Sequence, residues 1–362
     1  PPAHEWYQPG GPRAGRLVLP FWPRLGYQAR MRLGLMLGYW GPTYDDPLAL
    51  VLEAERLGYD SVWTAEAYGS DVFTPLAWIG ARTTRIKLGT GIAQLSARAP
   101  ACLAMTAMTL GRLSGGRLLL GIGVSGPQVV EGWYGQDFRR PLTRTREAIE
   151  ILRAIWRREG PLTYDGRYYQ LPTDRGAGLG KPLKLITHPL RPAIPIYLGA
   201  EGPKNVALAF EVADGWLPLF FSPYRTHVYQ EALAQTRPGF EIGCTVTVVV
   251  NDDLEQAMLP VKWTMAFYIG GMGHPDMHFH ANAFDRMGFG EAAAKVRRLF
   301  LEGKRAEAAA AVPDQLCDEL ALVGSPARIK DRLAAWTASP VTTILVGSRD
   351  PAAIRLLAEA LL

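Results

Sequence analysis

Between Met31 and Pro100 the chain lays three buried-strand patterns end to end, Met31–Trp40, Tyr59–Gly69 and Ile86–Ser96, each closing on small or polar residues. The stretch from Pro47 to Gly58, between the first two, carries apolar residues at helical spacing. Strand, helix and strand within about thirty residues make a βαβ unit, and short continuous apolar runs suit a parallel sheet buried on both faces. Such sheets bind ligands at the carboxyl ends of their strands. That places Tyr39, Trp40, Glu66, Ala67, Tyr68, Gly91 and Ile92 at a prospective ligand face.

The rhythm continues. Strand character recurs at Leu118–Val124, Ile194–Gly199, Gly215–Phe220, Ile242–Val250 and Thr342–Gly347. Helical patterns occupy Ala101–Leu113, Thr143–Arg158 and Pro203–Ala213, and Ser325–Pro326 opens another in the usual way, with Ser as N-cap and Pro in the first turn. Eight parallel-type strands, most followed by a helix, predict a closed (β/α)8 TIM barrel. A doubly wound open sheet is the alternative, but it gives no reason to stop at eight. Two long excursions interrupt the pattern, near 160–191 and 262–290, and the second lies in a mostly helical stretch from Asn251 to Leu322.

Residues 1–30 differ in character, with six prolines, four glycines and no period. They read as a flexible or non-native N-terminal extension, which leaves 31–362 as a single barrel domain. The extension also carries +3 of the chain's net charge of +5, so the basic balance does not argue for a nucleic-acid partner. Cys102, Cys244 and Cys317 lack C-x-x-C spacing, and no apolar run approaches the roughly 20 residues that cross a bilayer. A cytoplasmic protein without a membrane partner is the expectation.

Four signals bear on chemistry. The Gly199–Asn205 stretch joins a strand to a helix whose first turn begins at Pro203, so Gly199, Ala200, Glu201, Gly202 and Pro203 are either a phosphate-side loop or an ordinary βα connection. The glycines of Gly121–Pro127, with Ser125 and Gly126 in the loop, are either barrel packing or one wall of a flat-ring pocket; they do not form a dinucleotide fingerprint. Glu66, flanked by Ala65 and Ala67, is suited to orient a ring N–H or shift a proton, unless it is a salt-bridged rim residue. His274, His278 and His280 crowd one stretch, but Pro275 spoils i,i+4 ligand geometry and no Cys or carboxylate motif accompanies them. They read as an exposed or substrate-lining loop, with no metal. No Walker loop, HExxH motif or recognisable Ser-His-Asp set supports hydrolysis.

At these positions the chain resembles the luciferase-like monooxygenase superfamily, and within it the coenzyme F420-dependent, deazaflavin-using oxidoreductases. The resemblance is carried by Leu57–Trp63 with Glu66, by Leu88–Ile92 followed by Arg98–Pro100, and by Leu113–Arg117 leading into Leu120–Gly123. It continues through Leu198–Pro203, Ala213–Trp216 and Gly324–Arg328. It implies a barrel that binds coenzyme F420 at the strand carboxyl ends, with FMN as the alternative, and hydride transfer to or from a small organic substrate. It further implies a non-proline cis peptide at Gly91–Ile92 behind the ring, Glu66 beside it, Ala200–Pro203 on its phosphate side, and a homodimer. Sugar-phosphate and alcohol dehydrogenases of this branch keep a His, a Trp and a Glu where this chain has Ala67, Asp71 and Pro127. The catalytic candidates are therefore Glu66, Tyr68 and Asp71, with Tyr39, Trp40 and Gln128 on the substrate side. A reduced-FMN monooxygenase and a non-catalytic cofactor-binding barrel are the competing readings.

Overall fold

The computed structural model describes residues 30–42, 45–273 and 279–362; residues 1–29, His274 and His278 lie outside them. Eight parallel strands follow in chain order: β1 (Arg32–Gly38), β2 (Ser61–Thr64), β3 (Lys87–Thr90), β4 (Leu118–Gly123), β5 (Ile196–Gly199), β6 (Gly215–Leu217), β7 (Glu241–Val250) and β8 (Thr343–Gly347). Each pairs with the next, from Gly34 opposite Ser61 to Gly243 opposite Thr343. The ring closes where Arg32 meets Thr343. A closed barrel, not an open sheet, is the architecture.

Alternation along each strand divides the apolar residues between two cores. Inside the barrel Trp63, Leu119, Tyr197, Leu217 and Leu345 pack together, with Met36 and Ile92 against them. Val62, Leu88, Leu118, Leu120 and Ile122 face outward to the helices. The interior is fitted around Trp63: a Cβ on Gly89 would stand 2.2 Å from its ring, and its indole donates to Ser61 Oγ at 2.8 Å. Beneath it, at the amino ends of the strands, Glu241 accepts from Arg32 and from the Tyr197 hydroxyl.

Four short strands depart from the sequence reading. Ala93–Gln94 pairs with β4 and continues β3 after an interruption at Gly91–Ile92. Tyr164–Asp165 and Gln170–Leu171 form an antiparallel hairpin in the first excursion. Ala321–Gly324, assigned in large part to the helical stretch above, is instead a fully buried strand that adds to the outer end of β7. An apolar run of four residues carries no period that separates strand from helix, so β-pairing decides it. Gln128 lies in the first turn of a short helix, Pro127–Gly132.

The second excursion is broader than its sequence signal. Helices Leu254–Gly270, Phe279–Phe284, Gly290–Leu301, Arg305–Ala310 and Asp314–Leu320 share an apolar core that takes in Phe220 from the end of β6. Arg225 ties this layer to the barrel, meeting Glu319 at 2.6 Å and the Met287 carbonyl at 2.6 Å. No helix among the described residues is long and apolar enough to cross a membrane.

Candidate active site

The end of β2 is held by charge. Glu66 is 7% exposed, and Nη1 of Arg98 lies 2.9 Å from both of its carboxylate oxygens. The Val72 N–H donates to the same carboxylate at 3.2 Å. Two turns further, Asp71 accepts from the Phe73 and Thr74 N–H groups at 2.9 Å and starts the helix Phe73–Gly80. Burial works to raise the Asp71 carboxyl, but these amide donors and nearby Arg98 outweigh it and hold it below the usual carboxylate range. Gln94 completes the group: its Nε2 donates to the Glu66 carbonyl at 2.8 Å, and its buried Oε1 has no donor among the described residues.

Beside this corner, β3, β4 and β5 end on small residues. The Gly91–Ile92 peptide is cis. Ile92 lodges its side chain between two strand ends, so that a Cβ on Gly123 would stand 3.0 Å from its Cδ1 and one on Gly199 would stand 2.9 Å from its Cγ2. Thr90 Oγ1 donates to the Gly121 carbonyl at 2.7 Å and locks the same junction. Ser125 follows in a left-handed conformation (φ +62°), and Gly126 precedes the Pro127 helix. After β5, Gly202 is the N-cap and Pro203 the first residue of helix Pro203–Val212; a side chain on Gly202 would meet nothing within 4 Å. Asn205 in that first turn has a buried Oδ1 with no donor among the described residues.

The third wall comes from the helical excursion, and sequence reasoning missed most of it. His280 Nδ1 lies 3.0 Å from Oε1 and 2.8 Å from Oε2 of Glu201. Its ring stands edge-on to Phe220 (5.9 Å, 90°) and Tyr268 (5.0 Å, 89°). Burial works to lower the imidazole, and the Glu201 carboxylate overrides it, holding His280 above its ordinary range. Burial first, then the neighbouring Tyr39 phenol at the end of β1, pushes the Tyr268 phenol up. Arg286 donates to the Glu201 carbonyl at 2.7 Å.

The strand ends thus bring Glu66, Asp71, Ile92 and Gln94 to one side, and Glu201, His280 and Tyr268 to another. Tyr39 and Tyr68 are half-exposed at the rim, Trp40 donates its N–H to Ser70, and Gln128 is exposed. Gln94, Asn205 and Tyr268 were absent from the sequence-derived site, Arg98 entered it only as part of a resembling motif, and His280 only as one of three histidines in an exposed or substrate-lining loop. Gln94 had a local signal of its own, a long polar side chain inside an apolar strand run. Among the described residues no cluster of His, Cys, Asp and Glu is arranged to hold a metal. A wide depression of about 850 Å³ also lies on the outer wall, bearing the Arg146–Glu211 and Glu150–Tyr164 pairs, but it is built from helix and hairpin rather than strand ends.

The chain is 51% identical to a Mycobacterium tuberculosis protein assigned as a coenzyme F420-dependent oxidoreductase, over 91% of this chain and 99% of that one. It is 29% identical to the 5,10-methylenetetrahydromethanopterin reductase of Archaeoglobus fulgidus, over 82% and 87%. In fold it is similar to the coenzyme F420-dependent tetrahydromethanopterin reductase from Methanopyrus kandleri (TM-score 0.76, 23% identity, 92% of this chain and 99% of that one). Residues 24–343 match the sequence profile described as luciferase-like monooxygenase, and the chain belongs to that family.

Proposed function

We propose that this protein is an oxidoreductase that binds coenzyme F420 at the carboxyl ends of its barrel strands and transfers a hydride between it and a small organic substrate. The observation that carries the reading is the notch between β4 and β5, filled by Ile92 because Gly123 and Gly199 leave room for it. Together they make a rigid apolar wall for a flat ring. The 51% identity over nearly the whole chain supports F420 as the ring system.

The residues present fit such a group. Gln94 Oε1 and Asn205 Oδ1 are buried acceptors without a donor among the described residues, and a ring or tail with N–H or O–H groups satisfies both. Gly202 leaves open space at a helix start, where backbone N–H groups favour a phosphodiester. When bound, F420 supplies a two-electron hydride at its ring carbon. The protein's part is positioning and exclusion of water. Arg98 fixes Glu66 at the ring's edge, Ala67 leaves space for substrate beside it, and the helical excursion covers the mouth with Tyr268 and His280. Ala67 and Pro127 stand where the resembling alcohol dehydrogenases keep acid–base residues, which favours reduction of a polarised C=C or C=N bond as the reaction.

The test is a titration of purified protein with F420 and with FMN, followed by oxidation of reduced F420 against a panel of enones and imines. Tight F420 binding with substrate-dependent oxidation is expected. FMN binding without F420 binding overturns the reading in favour of a flavin monooxygenase, and binding of neither favours a non-catalytic barrel.

A further inference from the structure

We propose that His280, held by Glu201, is the proton donor to the substrate; this rests on the hydride-transfer reading above and adds the second half of the reaction. Adding a hydride to a polarised double bond leaves a negative charge on the far atom, and a reductase needs an acid within reach of it. The end of β2 offers only the Tyr68 phenol, which stands 55% exposed at the rim. Asp71 is held as a carboxylate by two backbone N–H groups, and Glu66 is engaged by Arg98.

His280 has the geometry of an acid. Its ring plane is set on three sides, by Glu201 at Nδ1 and by the edge-on rings of Phe220 and Tyr268. A carboxylate at Nδ1 keeps a proton on that nitrogen and leaves Nε2 as the site of exchange. Among the described residues no group hydrogen-bonds Nε2, and the side chain keeps 20% of its surface. It is neither sealed in the core nor free in solvent. Glu201 is anchored in turn, because its own carbonyl accepts from Arg286.

The groups facing the dyad are Glu201 from the β5 loop, Arg286 from the turn after helix Phe279–Phe284, and Tyr268 from helix Leu254–Gly270 with Tyr39 beside it. Tyr229 lies against Glu201 and Arg286, and its phenol is pushed up to about 12 chiefly by burial. These phenols stay neutral at working pH, so Glu201 is the nearest negative charge and favours the imidazolium.

The balance is simple. The hydride, carrying two electrons from reduced deazaflavin, forms the new C–H bond. The π pair of the substrate moves to the far atom, which takes the proton from Nε2. His280 is left neutral, its remaining Nδ1–H still donated to the Glu201 carboxylate, and a proton from water restores Nε2.

Two measurements on the full chain test this. In ring-labelled histidine NMR of the cofactor-free protein, with His280 assigned by H280Q, its titration is expected above 6.5 and to move down in E201Q. In F420-loaded enzyme with an enone or imine substrate, H280Q is expected to bind F420 within about twofold of wild type. Its kcat is expected to fall at least about 100-fold, with loss of the alkaline limb that the wild type shows as His280 deprotonates. Added imidazole should partly rescue H280A. Circular dichroism checks that the variants fold, and E201Q, which keeps the imidazole, gives a second arm with its alkaline limb shifted to lower pH. Unchanged kcat and pH profile in H280Q, or an unmoved titration in E201Q, overturns the assignment while F420 binding stands. Failure of wild type to bind F420 overturns the cofactor reading instead.

Discussion

Arg98 Nη1 sits 2.9 Å from both carboxylate oxygens of Glu66, so the acidic residue at the end of β2 is one half of a nearly buried ion pair. The side chains keep only 17% and 3% of their surface. Removing one partner strands the other charge in a low-dielectric site. Arg98→Met should therefore destabilise the fold by about 3 kcal/mol, more than removing both charges in Arg98→Met/Glu66→Gln. Urea unfolding of the single and double variants measures this; equal losses would mean the pair is not coupled.

Gly89 faces the inside of the barrel with Trp63 where a side chain would go. Gly89→Ala puts a methyl group 2.2 Å from the indole of Trp63, which is 2% exposed and packed among Leu119, Tyr197, Leu217 and Leu345. Overpacking of this kind costs about 1–3 kcal/mol. Thermal unfolding should show the loss, and Trp63→Phe/Gly89→Ala should recover part of it.

Ile92 is the wall residue between Gly123 and Gly199. Truncation in Ile92→Ala removes that wall and leaves the strands in place. F420 affinity should fall about tenfold, or 1.4 kcal/mol, measured by fluorescence titration. An unchanged affinity would place the ring elsewhere.

The His280–Glu201 pair links stability to pH. Its folded titration lies above the ordinary imidazole value, so its contribution is fully present below about pH 6.5 and is lost as pH rises through the folded value. The Tm difference between wild type and H280Q should therefore be largest near pH 6 and shrink towards pH 9. A difference that grows with pH would reverse the sign and contradict the pair.

Much of the framework was legible. The eight barrel strands were visible because parallel strands buried on both faces read as short apolar runs, and the end of each run located a strand's carboxyl end. Ala321–Gly324 was not, since four apolar residues after a helix have no period of their own. The site was legible only on the strands. Glu66 and Ile92 follow directly from strand ends, but Arg98 is 32 residues from Glu66, and His280 is 79 from Glu201.

The amino-acid sequence by itself determined the barrel, the carboxyl ends of its strands and the glycines that make room for Ile92, because these depend on strand periodicity and on residue size. Only the tertiary structure decided which charges meet. Whether Glu66 is free or paired, and whether a histidine in an irregular stretch faces solvent or a carboxylate, depends on how the excursion lies across the barrel mouth. That placement is set by the Phe220 core and the Arg225–Glu319 pair, contacts between segments far apart in the chain that no local pattern encodes.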